Sequence, residues 1–220
     1  MGNKTKEDAY RFMKEMNDTL PGAMELDLED FYVRGVFVSK RVGVGGAKKK
    51  YALLSEEGRI KIKGFELVRR DWAKIARDTQ KAVLEAILRE GSKEKAAAIV
   101  KETIDKIRSG KLDIKEFVIH TQLRKGIGNY DIKSPELAAA QKAMKAGVKR
   151  RDELEGAAIG YVITKHGNSI SEKAMIEEMA DDYDPDYYIN NQVMPATLKI
   201  LKELGYNADE LKAGGSQKKL

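Results

Sequence analysis

The sequence predicts an α+β fold, a short helix and antiparallel strands in the first 70 residues followed by a mostly helical unit. Three observations predict it. Side chains alternate with period two over Met24–Glu29, Phe31–Lys40 and Arg59–Lys63, the pattern of strands with two unlike faces. Apolar residues then recur at spacings of three and four from Ile75 to Ile107, the pattern of amphipathic helices. Gly91, Gly110, Gly147 and Gly205 each end such a stretch, as expected where a helix closes on a left-handed residue.

The elements follow in order. Residues 4–19 read as an amphipathic helix with Ala9, Phe12, Met13, Met16 and Leu20 along one side, stopped by Pro21-Gly22. Met24–Glu29 reads as a strand with Met24, Leu26 and Leu28 on one face and Glu25, Asp27 and Glu29 on the other. Three carboxylates on one face repel unless solvent or a cation screens them, so the segment fits an exposed sheet edge as well as a cation site. Phe31–Lys40 is a second strand. The loop Arg41–Ala47 is glycine-rich but matches neither G-x-G-x-x-G nor a P-loop, and reads as a hairpin tip.

Lys48–Trp72, KKKYALLSEEGRIKIKGFELVRRDW, is the most informative stretch. Its alternation and its Glu-Glu-Gly turn predict a hairpin with one buried face and one basic face. Asp71 is placed to cap a helix running from Trp72 to Arg89. Ser92 is placed to cap the next, with Ala96, Ile99, Val100, Ile104 and Ile107 inward. Phe117–Tyr130 reads as a strand entering a basic loop, and Ser134-Pro135-Glu136 as a helix start. Lys149–Arg151 is a short basic patch, Gly156–Lys165 a buried strand, and Asp184-Pro185 the start of a last helix, Asp186–Leu204, kinked at Pro195. The tail from residue 212 reads as disordered.

Composition narrows the chemistry. The 220 residues contain no cysteine, which excludes disulfides and thiolate metal sites, and only His120 and His166 as imidazoles. Both read as ordinary surface or loop residues. No signal peptide or membrane-length apolar run is present, so a cytoplasmic chain without membrane contact is expected. Residues 34–81 hold 14 Lys and Arg against five Asp and Glu, a local +9 against +6 for the whole chain, so the remainder carries −3. Such a local excess fits a surface for a phosphate backbone, and it also fits a solvated basic face. Residues 168–193 reverse the sign, with seven acids and one lysine. Asp181 and Asp182 read there as surface acids.

The order and spacing of K-K-x-Y (Lys48–Tyr51), V-R-R-D-W (Val68–Trp72) and Y-Y-I-x-N-Q-V (Tyr187–Val193) resemble family B DNA polymerases of the archaeal type, over about residues 5–211. The resemblance implies that residues 1–70 form the C-terminal part of a palm and residues 71–211 a thumb. The Arg41–Ala47 loop is then an insertion. The resemblance also implies that Lys48, Lys49, Lys50, Tyr51, Arg69, Arg70, Asp71, Thr121, Arg124, Lys125 and Tyr130 bind the primer-template duplex. Asp27 and Glu29 match positions beside the catalytic aspartates and become candidate auxiliary ligands for Mg2+. The D-T-D turn that carries the essential aspartates in that family is missing from the chain.

A small subunit of a split polymerase is therefore expected, inactive alone. A large subunit would carry exonuclease, fingers, catalytic aspartates and most of the Mg2+ coordination, and would cover the apolar side of the first helix and of Met24–Leu28. Met1 leading directly into a helix fits a natural start, and a cloned fragment would look the same. Gln217–Leu220 has the Q-x-x-L beginning of a sliding-clamp-binding peptide without its aromatic anchors. An autonomous duplex-binding protein and a structural scaffold stand as competing readings.

Overall fold

Thr5 opens the first helix: its hydroxyl accepts from the Asp8 N–H and the Asp8 carboxylate accepts from the Thr5 N–H, a reciprocal cap that starts α1 (Lys6–Asn17). The computed structural model describes residues 4–39, 46–124, 126–128 and 134–213. The expectations for the Arg41–Gly45 part of the glycine-rich loop, Lys125, Tyr130 and the Gln217–Leu220 tail lie outside the described residues. So does that for the Lys48 side chain.

Strands β1 (Tyr32–Ser39), β2 (Gly46–Ser55) and β3 (Ile60–Lys63) form an antiparallel sheet in the order β1-β2-β3, with Val36 opposite Ala52 and Ala52 opposite Ile62. The expected strand at Met24–Glu29 is absent: the segment is extended but joins neither described sheet. No described strand lies beside it to complete a ladder, and a lone strand leaves its backbone groups to solvent. The Asn17 side chain alone imitates a ladder partner, donating to the Leu26 carbonyl at 3.0 Å and accepting from the Leu26 N–H at 2.7 Å.

Helix α2 (Lys74–Glu85) runs into a π-helical stretch, Ala86–Glu90, which Gly91 ends in the left-handed region. The Arg34 guanidinium, from β1, donates to the terminal carbonyls of Ile87 and Leu88 at 3.2 and 2.9 Å, ties the sheet to the helix end and complements its dipole. Ser92 caps α3 (Lys93–Arg108) as expected. The Asp71 cap is not formed. Helix α2 starts two residues later than expected, and the Ala73 N–H goes instead to the Gln192 side chain at 3.0 Å.

A second antiparallel sheet, β4-β5-β6 (Ile119–Gln122, Ala158–Ile163, Ala174–Ile176), includes a three-residue strand too short to show a period in the sequence. Helix α4 (Pro135–Lys145) packs on this sheet, and the short α5 (Arg151–Leu154) and α6 (Ile170–Lys173) flank it. Ser134 stands at the N-cap position of α4, but its hydroxyl caps nothing and is buried without a partner among the described residues.

The last helix is composite: α7 (Pro185–Tyr187), a π-helical Tyr188–Val193, and α8 (Met194–Leu201). Pro195, where a kink is expected, lies just after the π-helical stretch. Proline has no N–H to give, and the ladder widens just before it, the Met194 N–H reaching the Ile189 carbonyl. Beyond Gly205, α9 (Ala208–Lys212) closes the described chain.

Two cores result. The larger includes Val38, Ala52 and Phe65 from the first 70 residues together with Ala76, Val83, Ile104, Tyr188 and Leu201. At its centre the Phe117 and Tyr183 rings stack at 3.7 Å, and the Tyr188 hydroxyl bridges the Phe117 carbonyl and the Ile163 N–H at 2.8 and 2.9 Å. The smaller core, with Leu123, Leu137, Leu154, Ile159 and Ile176, lies under α4.

Candidate nucleic-acid interface

The hairpin places its charges by pleat. Ala52 is buried, and Leu54, Ile60 and Ile62 pack against the larger core. The opposite face carries Tyr51, Leu53, Lys61 and Lys63, with Val33 and Phe37 beside them on β1. This face is therefore not simply basic. The Phe37 and Tyr51 rings lie 6.1 Å apart, and Phe37 is 65% exposed. Two acids also approach it: Glu29 pairs with Lys61, and Asp30 lies 3.5 Å from Arg59. Among the described residues, Lys49 and Lys63 are exposed and have no ion-pair partner.

Lys50 departs from its expected place in a basic face. The pleat carries it to the side of Ala52, where its ammonium donates to Glu66 at 2.6 Å and lies 5.2 Å from the centre of the Phe65 ring. Burial pulls the Lys50 pKa down despite Glu66. Burial pushes the Glu66 carboxyl up, but hydrogen bonds from Lys50 and Gln80 outweigh it and leave Glu66 below its ordinary value.

The remaining expected residues meet in a cleft of about 500 Å³, lined by Arg69, Arg70, Asp71, His120, Thr121, Gln122, Arg124 and Ala158. The His120 N–H donates to the Arg70 carbonyl at 3.2 Å, so the start of the helical unit is stitched to β4. Arg69 and Asp71 form a two-point pair, Nε to Oδ1 at 2.9 Å and Nη2 to Oδ2, and this pairing holds the Arg69 guanidinium above its ordinary pKa. Asp71 is thus a partner of Arg69, and its charge opposes a phosphate. Among the described residues, no side chain pairs with Arg70 or Arg124. His120 and Gln122 were not expected here. Both are exposed positions of β4 flanking Thr121, and strand alternation, which sets them on the other face from Thr121, gave no signal for them.

Asp27 is exposed and Glu29 is engaged by Lys61. Among the described residues, no three His, Asp or Glu side chains are grouped to hold a metal ion. Asp27 and Glu29 do not make a magnesium site by themselves, and an ion there would need ligands from elsewhere. Among the described residues, no helix is long and apolar enough to cross a membrane.

Comparison with known proteins places these features. The family model described as DNA polymerase family B matches residues 3–204. The DNA polymerase of Thermococcus aggregans is 42% identical over 216 residues, covering 96% of this chain and 11% of that protein. That of Methanocaldococcus jannaschii is 42% identical over 95% of this chain and 12% of its own length. For Thermococcus sp. strain 9oN-7 the identity is 41%, over 94% of this chain and 26% of the relative. The family B DNA polymerase of Pyrobaculum calidifontis superposes with a TM-score of 0.70 at 31% identity, over 93% of this chain and 26% of that one. This chain thus spans about a quarter or less of these relatives. It belongs to DNA polymerase family B.

Proposed function

We propose that this chain is the small subunit of a split family B DNA polymerase, completing the palm with residues 1–70 and supplying the thumb with residues 71–211. The observation that carries the reading is the cleft in which Arg69 and Arg70 meet Thr121 and Arg124, in a chain similar throughout to a small part of much longer polymerases. Cations lining a cleft suit the backbone of a duplex, whose phosphates fix register without conveying sequence. Lys49, Tyr51 and Lys63 extend the surface toward the hairpin. Held there, the primer end is aligned for reaction, and alignment of this kind accounts for much of a catalysed rate. Magnesium coordination and the chemical step are assigned to the larger polypeptide with the catalytic aspartates.

Exposed apolar surface supports a protein partner. Helix α1 buries none of its residues, and Phe12 is 62% exposed and Met24 63%. Apolar side chains left in solvent on α1 and the segment after it suit a covering partner. The test is primer extension by this chain, by a large polypeptide carrying the palm aspartates, and by the two mixed. Activity only in the mixture is expected. A mixture no more active than the large polypeptide, with duplex binding by this chain alone, would instead make it an autonomous binding protein.

A further inference from the structure

Lys49 and Lys50 are adjacent and face opposite ways. Phe37 of β1 stands opposite Tyr51 and Ser39 opposite Gly46, so Val38 alone faces the four residues 47–50 of β2. Within this bulge Lys49 takes a left-handed backbone, φ +59°, which a lysine adopts only when its surroundings impose it. Gly64, at φ +70°, lies against it so closely that a Cβ there would sit 2.1 Å from the Lys49 carbonyl oxygen. Lys49 is exposed, whereas the Lys50 side chain retains 14% of its exposure.

What draws Lys50 inward is a carboxylate buried in the most basic stretch of the chain. Glu66 is 5% exposed. Its Oε1 receives Lys50 at 2.6 Å and faces the Lys199 ammonium at 3.5 Å, and its Oε2 accepts from Gln80 at 2.7 Å. Gln80 is oriented in turn, since its Oε1 accepts from the Leu67 N–H at 2.8 Å and its Nε2 also donates to the Ala196 carbonyl. Glu66 is thereby fixed from α2 and α8, and its own carbonyl accepts from the Arg69 N–H at 2.9 Å. One residue connects the bulge to the first arginine of the cleft.

We infer that Glu66 is a positioning residue of the duplex-binding surface: by holding Lys50 inside, it fixes the bulge that presents Lys49 and Tyr51, so that Lys50 serves the geometry and not the phosphate contact. The inference rests on the reading that this surface binds duplex DNA.

Two measurements on the full chain test it. Acetylation of lysines by an N-hydroxysuccinimide ester, read by mass spectrometry, should modify Lys49 at least about tenfold faster than Lys50, the separation expected between an exposed and a buried paired amine. Glu66→Ala should bring the two rates together, and Glu66→Gln should keep Lys50 protected. In duplex binding against salt, Lys49→Met should lower the log–log slope by about 0.9. The double variant Lys50→Met/Glu66→Met, an apolar replacement of the whole pair, should lower the slope by less than Lys49→Met does. Glu66→Ala should weaken binding several-fold although it removes a negative charge. Lys50 acetylated as fast as Lys49 in the unaltered chain, or a slope lowered by the double variant as by Lys49→Met, overturns the inference while duplex binding stands. A chain that binds no duplex DNA overturns the underlying reading as well.

Discussion

The Gln192 side-chain oxygen accepts the Ala73 backbone N–H at 3.0 Å, across 119 residues of sequence. The terminal helix thus caps the first helix of the helical unit, both groups being buried. Gln192→Leu leaves that N–H without an acceptor and should cost about 1–3 kcal/mol, a Tm drop of about 2–4 °C per kcal/mol in a chain of this size. Gln192→Glu keeps the acceptor but buries a charge without a partner, and should lose at least as much at neutral pH and less once the carboxyl is protonated. Thermal unfolding followed by circular dichroism checks both, and a Gln192→Leu chain as stable as the parent would show that the bond does not hold the helix start.

Arg70 and Arg124 are the cleft cations without a described partner, while Arg69 is held by Asp71. Arg70→Ala and Arg124→Ala should each lower the salt slope of duplex binding by about 0.9. Asp71→Asn should strengthen binding, because it removes an acid from the cleft and releases Arg69. Fluorescence anisotropy over a salt series measures all three. An Asp71→Asn chain that binds more weakly would mean that the pair itself forms the contact.

Gly64 and Gly110 have the same φ of +70°, but only Gly64 has backbone in the space a Cβ would take. Gly110→Ala should cost the left-handed penalty alone, about 1–2 kcal/mol. Gly64→Ala adds a collision with the Lys49 carbonyl, which cannot move without displacing β2, and should cost about 2 kcal/mol more than its counterpart. Urea unfolding of the two variants gives the difference directly.

Asp184 caps the terminal helix through the Asp186 and Tyr187 N–H groups and accepts from the Lys173 ammonium at 2.6 Å. Burial pushes its carboxyl up, but Lys173 and the two N–H groups outweigh this and hold it below its ordinary value. A depressed folded-state pKa gives stability that is present above the unfolded value and lost as pH falls through the folded one. Asp184→Asn should therefore be less stable than the parent at pH 6, with the gap closing as the pH falls from the ordinary carboxylate value through the depressed one. Melting both chains across that range checks the sign, and a gap that widened on acidification would contradict it.

The sequence by itself determined what depends on neighbours a few residues away. The Thr5–Asn17 and Ser92–Arg108 helices, the left-handed stops at Gly91 and Gly205, the Asp184 cap and the 60–63 strand all rest on hydrogen bonds or periodicities within four residues. The K-K-x-Y and V-R-R-D-W stretches contain Lys49 and Arg70, which have no ion-pair partner among the described residues. What only the tertiary structure decided depends on partners far along the chain. The Met24–Glu29 segment has a strand's alternation but no described strand to pair with. Asp71 has a capping side chain but closes on Arg69, because Gln192 already reaches Ala73. Lys50 is indistinguishable from Lys49 in composition, yet Glu66 and Gln80, held by two helices, turn it inward. Local rules set which conformations each stretch favours. Long-range packing chooses among them, because a buried charge or N–H is tolerated only where a distant partner meets it.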